Sequence, residues 1–189
     1  AFSSLAEASN TELVKTLTHP SMMWRLQAQR LLVERSADDV FTPLLALVSD
    51  QSVDDVGLNV GAIHALHTLQ GLGYLKLNKA TKSYGQELNS LKLALKHPSA
   101  GVRRNALAVL PHNQEALSLL GTSLKDSDYQ VQLQAVLTLA DMPVAEDPEG
   151  AYLQGVLVAV MIENTNDPVV LDALTSAAAA NSTFYLAGV

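Results

Sequence analysis

The sequence predicts an all-α fold built as a stack of helical hairpins, and three observations carry that prediction. The first is composition. Of 189 residues, 48% are hydrophobic, 16% are charged and only 5% are aromatic. That is too apolar for a disordered chain, and the weight of Ala and Leu favours helices over β-sheet. The second is a recurring small residue. Ala28, Ala62, Ala106, Ala135 and Ala173 each stand four residues after an apolar residue (Trp24, Leu58, Val102, Val131, Val169) and four before another (Leu32, Leu66, Leu110, Leu139, Ala177). This spacing places all three on one helical face. The third is that each such segment follows another apolar-periodic run.

The preceding runs are Leu13–Leu17, Val40–Val48, Leu88–Leu95, Ala116–Leu124 and Leu153–Ile162. The predicted unit is therefore a first helix, a tight turn and a second helix carrying the central Ala, in about five copies. In four of the five copies a His, Asp or Asn stands nine residues before the Ala (His19, His97, Asp126, Asn164). These read as helix starts, with a capping side chain and, at Pro20, Pro98 and Pro168, a proline in the first turn. The central Ala has a steric reason, because helices packed about 8–10 Å apart need a small side chain where they cross. One hairpin cannot bury its own apolar face, so neighbours must stack.

The central Ala steps by 34, 44, 29 and 38 residues. HEAT and armadillo units and their shorter variants fall in this range, so the expected architecture is a right-handed α-α superhelix. The longest step contains Lys76 to Gln86, rich in Lys, Asn, Thr, Ser and Gly, which reads as a solvated loop. Gly71-Leu72-Gly73 suits a helix C-cap. Residues 1–189 read as a single domain, with Ala145–Gly150 as its most flexible interior junction. The chain starts at Ala1 without Met and ends in the apolar stretch Phe184–Val189. We therefore expect it to be a piece of a longer multidomain protein, with any targeting signal elsewhere.

Charge and motif content narrow the chemistry. A net charge of −7 with pI near 5.1 opposes a nucleic-acid partner, which needs a basic face to neutralise phosphate. With no Cys, the chain has no disulfide, thiolate nucleophile or C-x-x-C-H haem attachment. No run of 18 or more apolar residues is present, so no membrane span is expected, and no secretory leader is visible. There is no G-x-S-x-G, P-loop or G-x-G-x-x-G sequence. Asp38-Asp39 and Asp54-Asp55 fall in predicted turns, where solvation or capping is expected of them.

The candidate binding residues lie on the second helices, which line the concave face in stacks of this kind. They are Arg25, Arg30, His64, His67, Arg103 and Arg104. Arginine could hold a carboxylate or an acidic partner there. Against that, Arg25 and Arg103 both stand three residues before a central Ala, with Asn59 and Gln132 at the same place in other copies. Such repetition favours a ladder of hydrogen bonds between repeats. His64 and His67 lie three apart on one predicted helix, close enough to share a face. A metal site there would need further ligands, and no His-Glu or Glu-x-x-His sequence supplies them. Trp24, the only Trp, occupies a place where other copies have Leu or Val, so it reads as core.

Two stretches carry a family resemblance. They are His19-Pro20-Ser21-Met22-Met23-Trp24-Arg25-Leu26-Gln27-Ala28-Gln29-Arg30-Leu31-Leu32-Val33-Glu34-Arg35 and His64-Ala65-Leu66-His67-Thr68-Leu69-Gln70-Gly71-Leu72-Gly73. Together they resemble the HEAT-repeat region of bacterial membrane-bound dehydrogenase-like proteins of the Planctomycetes, Verrucomicrobia and Bacteroidetes type. The match covers roughly residues 17–73 and again 97–111. Those proteins join a dehydrogenase-like β-propeller, a HEAT region and a C-terminal cytochrome c domain. The resemblance implies a periplasmic, non-catalytic scaffold that serves as the spacer between propeller and cytochrome, with haem held elsewhere in the parent. No cofactor is expected in this chain, and its partners are expected to be protein or neighbouring domains. The alternative is a lyase-like or cofactor- or metal-binding protein that uses the concave face.

Overall fold

The computed structural model describes residues 4–143 and 148–180. Among them are ten α-helices, one 3-10 turn and no strand. In chain order the helices are α1 (Asn10–Thr16), α2 (Met22–Glu34), α3 (Phe41–Ser49), α4 (Val60–Gly71), α5 (Tyr84–Ala94), α6 (Ala100–Ala108), α7 (Gln114–Leu120), α8 (Tyr129–Asp141), α9 (Pro148–Asn164) and α10 (Pro168–Ala180). Each predicted first helix and each predicted second helix has a counterpart, and consecutive helices pack as hairpins. The chain forms two compact units, Ala1–Val109 and Leu110–Val189.

In the first unit the second helices pack in sequence, α2 on α4 and α4 on α6, while α3 packs on α5. Ala28, Ala62 and Ala106 are fully buried, at the middle of α2, in the first turn of α4 and in the last turn of α6. Around them lie Leu13, Leu17, Leu32, Leu44, Leu66, Leu69, Leu91 and Leu107, all inaccessible to solvent. Burying one such leucine is worth about 1.5–3 kcal/mol relative to leaving it in water. In the second unit α8 packs on α10 and α9 on α10, around Leu117, Leu120, Leu139, Leu174 and the central Ala135.

Several helix ends follow their residues closely. Ser9 and Glu12 form a reciprocal capping box at α1, each accepting the other's backbone N–H. The Ser9 amide and hydroxyl hold the Glu12 carboxyl below the usual carboxylate range. Gly73 takes φ +73° after α4, and Tyr74 N–H returns to Leu69 O while Gly73 N–H returns to Gln70 O. That is a Schellman ending, and a positive φ is what glycine tolerates there.

Other expectations need correction. Leu58 and Val169 are exposed rather than core. Leu58 precedes the α4 N-cap Asn59, and in α10 the inward residue is Val170, one position later. The run Ala116–Leu124 is not one helix. It breaks at Gly121-Thr122, both poor helix formers, and resumes as a 3-10 turn over Ser123–Lys125. The 76–86 segment is not wholly solvated. Leu77 is buried at φ +46°, and the segment turns helical at Tyr84. The cause is Glu87, a buried carboxylate that accepts the N–H groups of Lys76 and Leu77 and the Ser83 hydroxyl. The junction Ala145–Gly150 lies outside the described residues up to Asp147, and Pro148 to Gly150 form the first turn of α9.

The residues nine before the central Ala are not the N-caps. In α2, α4, α6 and α8 those are Ser21, Asn59, Ser99 and Asp128. His19, His97 and Asp126 stand two residues ahead of a cap and accept its backbone N–H, at 3.0, 2.9 and 2.9 Å. Pro20 and Pro98 therefore precede the helix, whereas Pro168 does begin one. An imidazole nitrogen thus takes the place of the Asp oxygen in the same turn.

Candidate functional site

The polar side chains of the second helices do two jobs that their sequence spacing sets. The residue three before the central Ala reaches back across the first turn to the carbonyl groups ahead of the helix. Arg25 Nη1 donates to His19 O at 2.7 Å and Pro20 O at 2.8 Å. Arg103 Nη1 donates to His97 O at 2.8 Å and Pro98 O at 3.0 Å. Asn59 Nδ2 donates to Asp50 O and Ser52 O, both at 3.0 Å, and Gln132 Nε2 donates to Asp126 O. Three residue types fill one role because each offers an N–H at the end of a side chain long enough to span its own turn. The sequence suggested a ladder between repeats, but these bonds close each turn on itself.

The links between repeats come from the histidines. His97 Nε2 donates to Asp50 O in the preceding turn at 2.8 Å, with the ring fully buried. His64 Nδ1 lies 2.7 Å from Gln29 Oε1 on α2, and His67 Nε2 lies 2.8 Å from Asn105 Oδ1 on α6. Asn105 Nδ2 donates to Gly101 O at 2.8 Å, so its oxygen faces His67 and the His67 hydrogen sits on Nε2. His64 and His67 therefore hold α4 to both neighbours, one on each side.

His64 is 8% exposed, and its pKa is lowered to about 4. Burial is the main cause, and the positive charges of Arg25 and His67 add to it. At neutral pH the ring is uncharged, with Nδ1–H donating to Gln29. Asp50, at the junction, has its carboxyl held below the usual range chiefly by the Ser52 amide, which donates to Oδ1 at 2.9 Å.

The remaining candidates stand apart from this row. Arg30 is exposed, pairs with Glu34 at 3.0 Å and donates to Gln27. Arg104 is exposed and makes no hydrogen bond or ion pair among the described residues. Arg25 Nε is buried with no hydrogen-bond partner among the described residues. Trp24 is half-buried rather than core, and it meets the His19 ring edge-on at 6.2 Å. It lines a cleft of about 260 Å³ with Leu5, Met23, Gln27, Arg30 and Leu31, and this cleft contains none of the other five candidates. A second cleft of about 460 Å³, in the second unit, is polar and lined by Tyr129, Gln132, Thr165, Asn166, Asp167 and Pro168.

The acidic pairs serve the backbone. Asp54 Oδ1 accepts the amides of Val56 and Leu58, closing its own loop, and Asp39 accepts from Asn10. No group of three or more His, Asp or Glu residues converges among the described residues, and no helix there is long and apolar enough to cross a membrane. The partners Gln29, Asn105 and Glu87 were not singled out from sequence. For Gln29 and Asn105 the signal existed, since a polar residue directly beside a central Ala sits at the edge of the packed face.

No family model, curated protein or solved structure matches the chain.

Proposed function

We propose that this chain is a non-catalytic, HEAT-type scaffold, stacked as a right-handed solenoid, that positions neighbouring protein domains. The observation that carries the reading is the use made of its polar residues. Arg25, Asn59, Arg103 and Gln132 are engaged with the turns, and His64, His67 and His97 with adjacent helices. Side chains that an enzyme would aim at a substrate are here committed to holding hairpins in register. The resemblance at residues 17–73 and 97–111 supports a periplasmic setting between a dehydrogenase-like propeller and a cytochrome c domain.

Two measurements test this. Purified protein is expected to carry no stoichiometric metal or haem by elemental analysis and absorbance, with a melting temperature indifferent to added zinc or iron. A bound metal that is lost in His64→Ala would overturn the non-catalytic reading. The parent gene is expected to encode a propeller on one side and a C-x-x-C-H segment on the other. A parent with neither would remove the spacer role.

A further inference from the structure

The heptapeptide His-Pro-Ser-x-x-x-Arg occurs at 19–25 and at 97–103, and it folds into the same clamped turn in both places. Because Nδ1 accepts the serine amide in each, the ring hydrogen sits on Nε2. At His97 that hydrogen goes to the Asp50 carbonyl of the preceding hairpin. At His19 the ring is exposed, and Nε2 has no hydrogen-bond partner among the described residues.

The helices that follow differ in the same sense. α6 brings Gly101 against Leu58 and Ile63 of the preceding hairpin, and its Asn105 takes the bond from His67. The corresponding residues of α2 are Met23 and Gln27. Met23 is 68% exposed and lines the cleft with Trp24, Gln27 and Leu31. Met23, the half-buried Trp24 and Leu31 thus leave an apolar edge open at one end of a packed row.

We propose that the outer face of the α1–α2 hairpin docks one further helical hairpin of this same kind. Its inter-helix turn offers a carbonyl oxygen to His19 Nε2, as the Asp50 turn does to His97, and its second helix lays an apolar face over Met23 and the Trp24 cleft. Methionine in place of Gly101 sets the docked helix farther out, and the flexible thioether chain fills the gap. The inference rests on the stacked-hairpin reading above and not on any cellular setting.

The test uses the whole chain with a second copy of residues 37–75, which contains α3 and α4, joined ahead of Ala1. The added segment has no Trp, so Trp24 remains the only one and reports directly on the face. Docking is expected to lower acrylamide quenching of Trp24 several-fold, shift its emission to the blue and slow amide exchange in α2. His19→Ala in the extended protein is expected to restore part of the quenching. An extension that adds helical signal but leaves quenching unchanged overturns the proposal, and so does one that adds no helix. The unextended chain supplies a second arm: a monomer with freely quenched Trp24 is expected. A dimer that Met23→Glu dissociates would make a second copy the occupant and overturn the proposal. Neither arm involves metal content or the parent gene, so the scaffold reading stands or falls separately.

Discussion

The turns at 19–25 and 97–103 share four residues and the same hydrogen bonds, yet one histidine is fully buried and the other lies in water. The local bonds are alike because they depend only on residues within the segment. An imidazole accepts the amide two residues on, and an arginine reaches back to two carbonyl groups. Burial differs because it depends on what lies alongside. α4 and the Asp50 turn cover α6, while the matching face of α2 has the Ser4–Ala6 segment along its cleft and the exposed Met23 beside it. A turn of this type is thus a local unit, and the neighbouring hairpin determines its energetic weight.

That difference can be broken most directly at the histidines. His97→Ala leaves the buried Ser99 amide without its partner, removes one of the two donors to the Asp50 carbonyl and opens a cavity. We expect a loss of about 3 kcal/mol in urea unfolding followed by Trp24 fluorescence, against about 0.5–1 kcal/mol for His19→Ala. Equal losses would mean that the covering hairpin contributes nothing.

The covered row also has a pH signature. His64 is neutral in the fold, with a pKa of about 4, while the unfolded chain protonates near 6.5. Proton uptake therefore favours the unfolded state as pH falls. The stability is fully present above about 6.5 and is lost progressively between there and about 4. The predicted loss is about 1–2 kcal/mol, reduced from the full shift by residual water contact. Urea midpoints at several pH values check it, and His64→Gln should flatten the dependence; an unchanged slope in that variant would assign the effect to other groups.

Close approach offers a sharper probe. A Cβ at Gly61 would lie 2.8 Å from Thr18 Cγ2, and Thr18 is fixed by its hydroxyl bond to Lys15 O. Gly61→Ala should therefore destabilise by about 1 kcal/mol despite the gain in helix propensity, and Thr18→Ser, which removes that methyl, should restore the loss. On the matching face of α2, Met23→Ala should change stability by less than about 0.5 kcal/mol. A larger loss there would show that the chain itself already covers the face.

How much of this was legible varied with the range of the interaction involved. The ten helices were readable from the period of apolar residues, and all five central alanines are buried. The role of Arg25 and Arg103 was readable as repetition, although its target, the turn within the same hairpin, was not. His19 and His97 looked equivalent and are equivalent locally, but nothing in either heptapeptide distinguishes buried from exposed. Glu87, just past the segment that reads as solvated, was invisible because its partners Lys76 and Leu77 lie ten or more residues away.

The sequence by itself determined the all-α class, the helix pairing and the clamped turns. Helical periodicity and side-chain reach are short-range properties that a few consecutive residues fix. Only the tertiary structure decided which faces are covered, which histidine is buried and neutral, and that α4 is tied to α2 through Gln29 and to α6 through Asn105. Burial and desolvation come from residues tens of positions apart being brought into contact, and no local spacing specifies them.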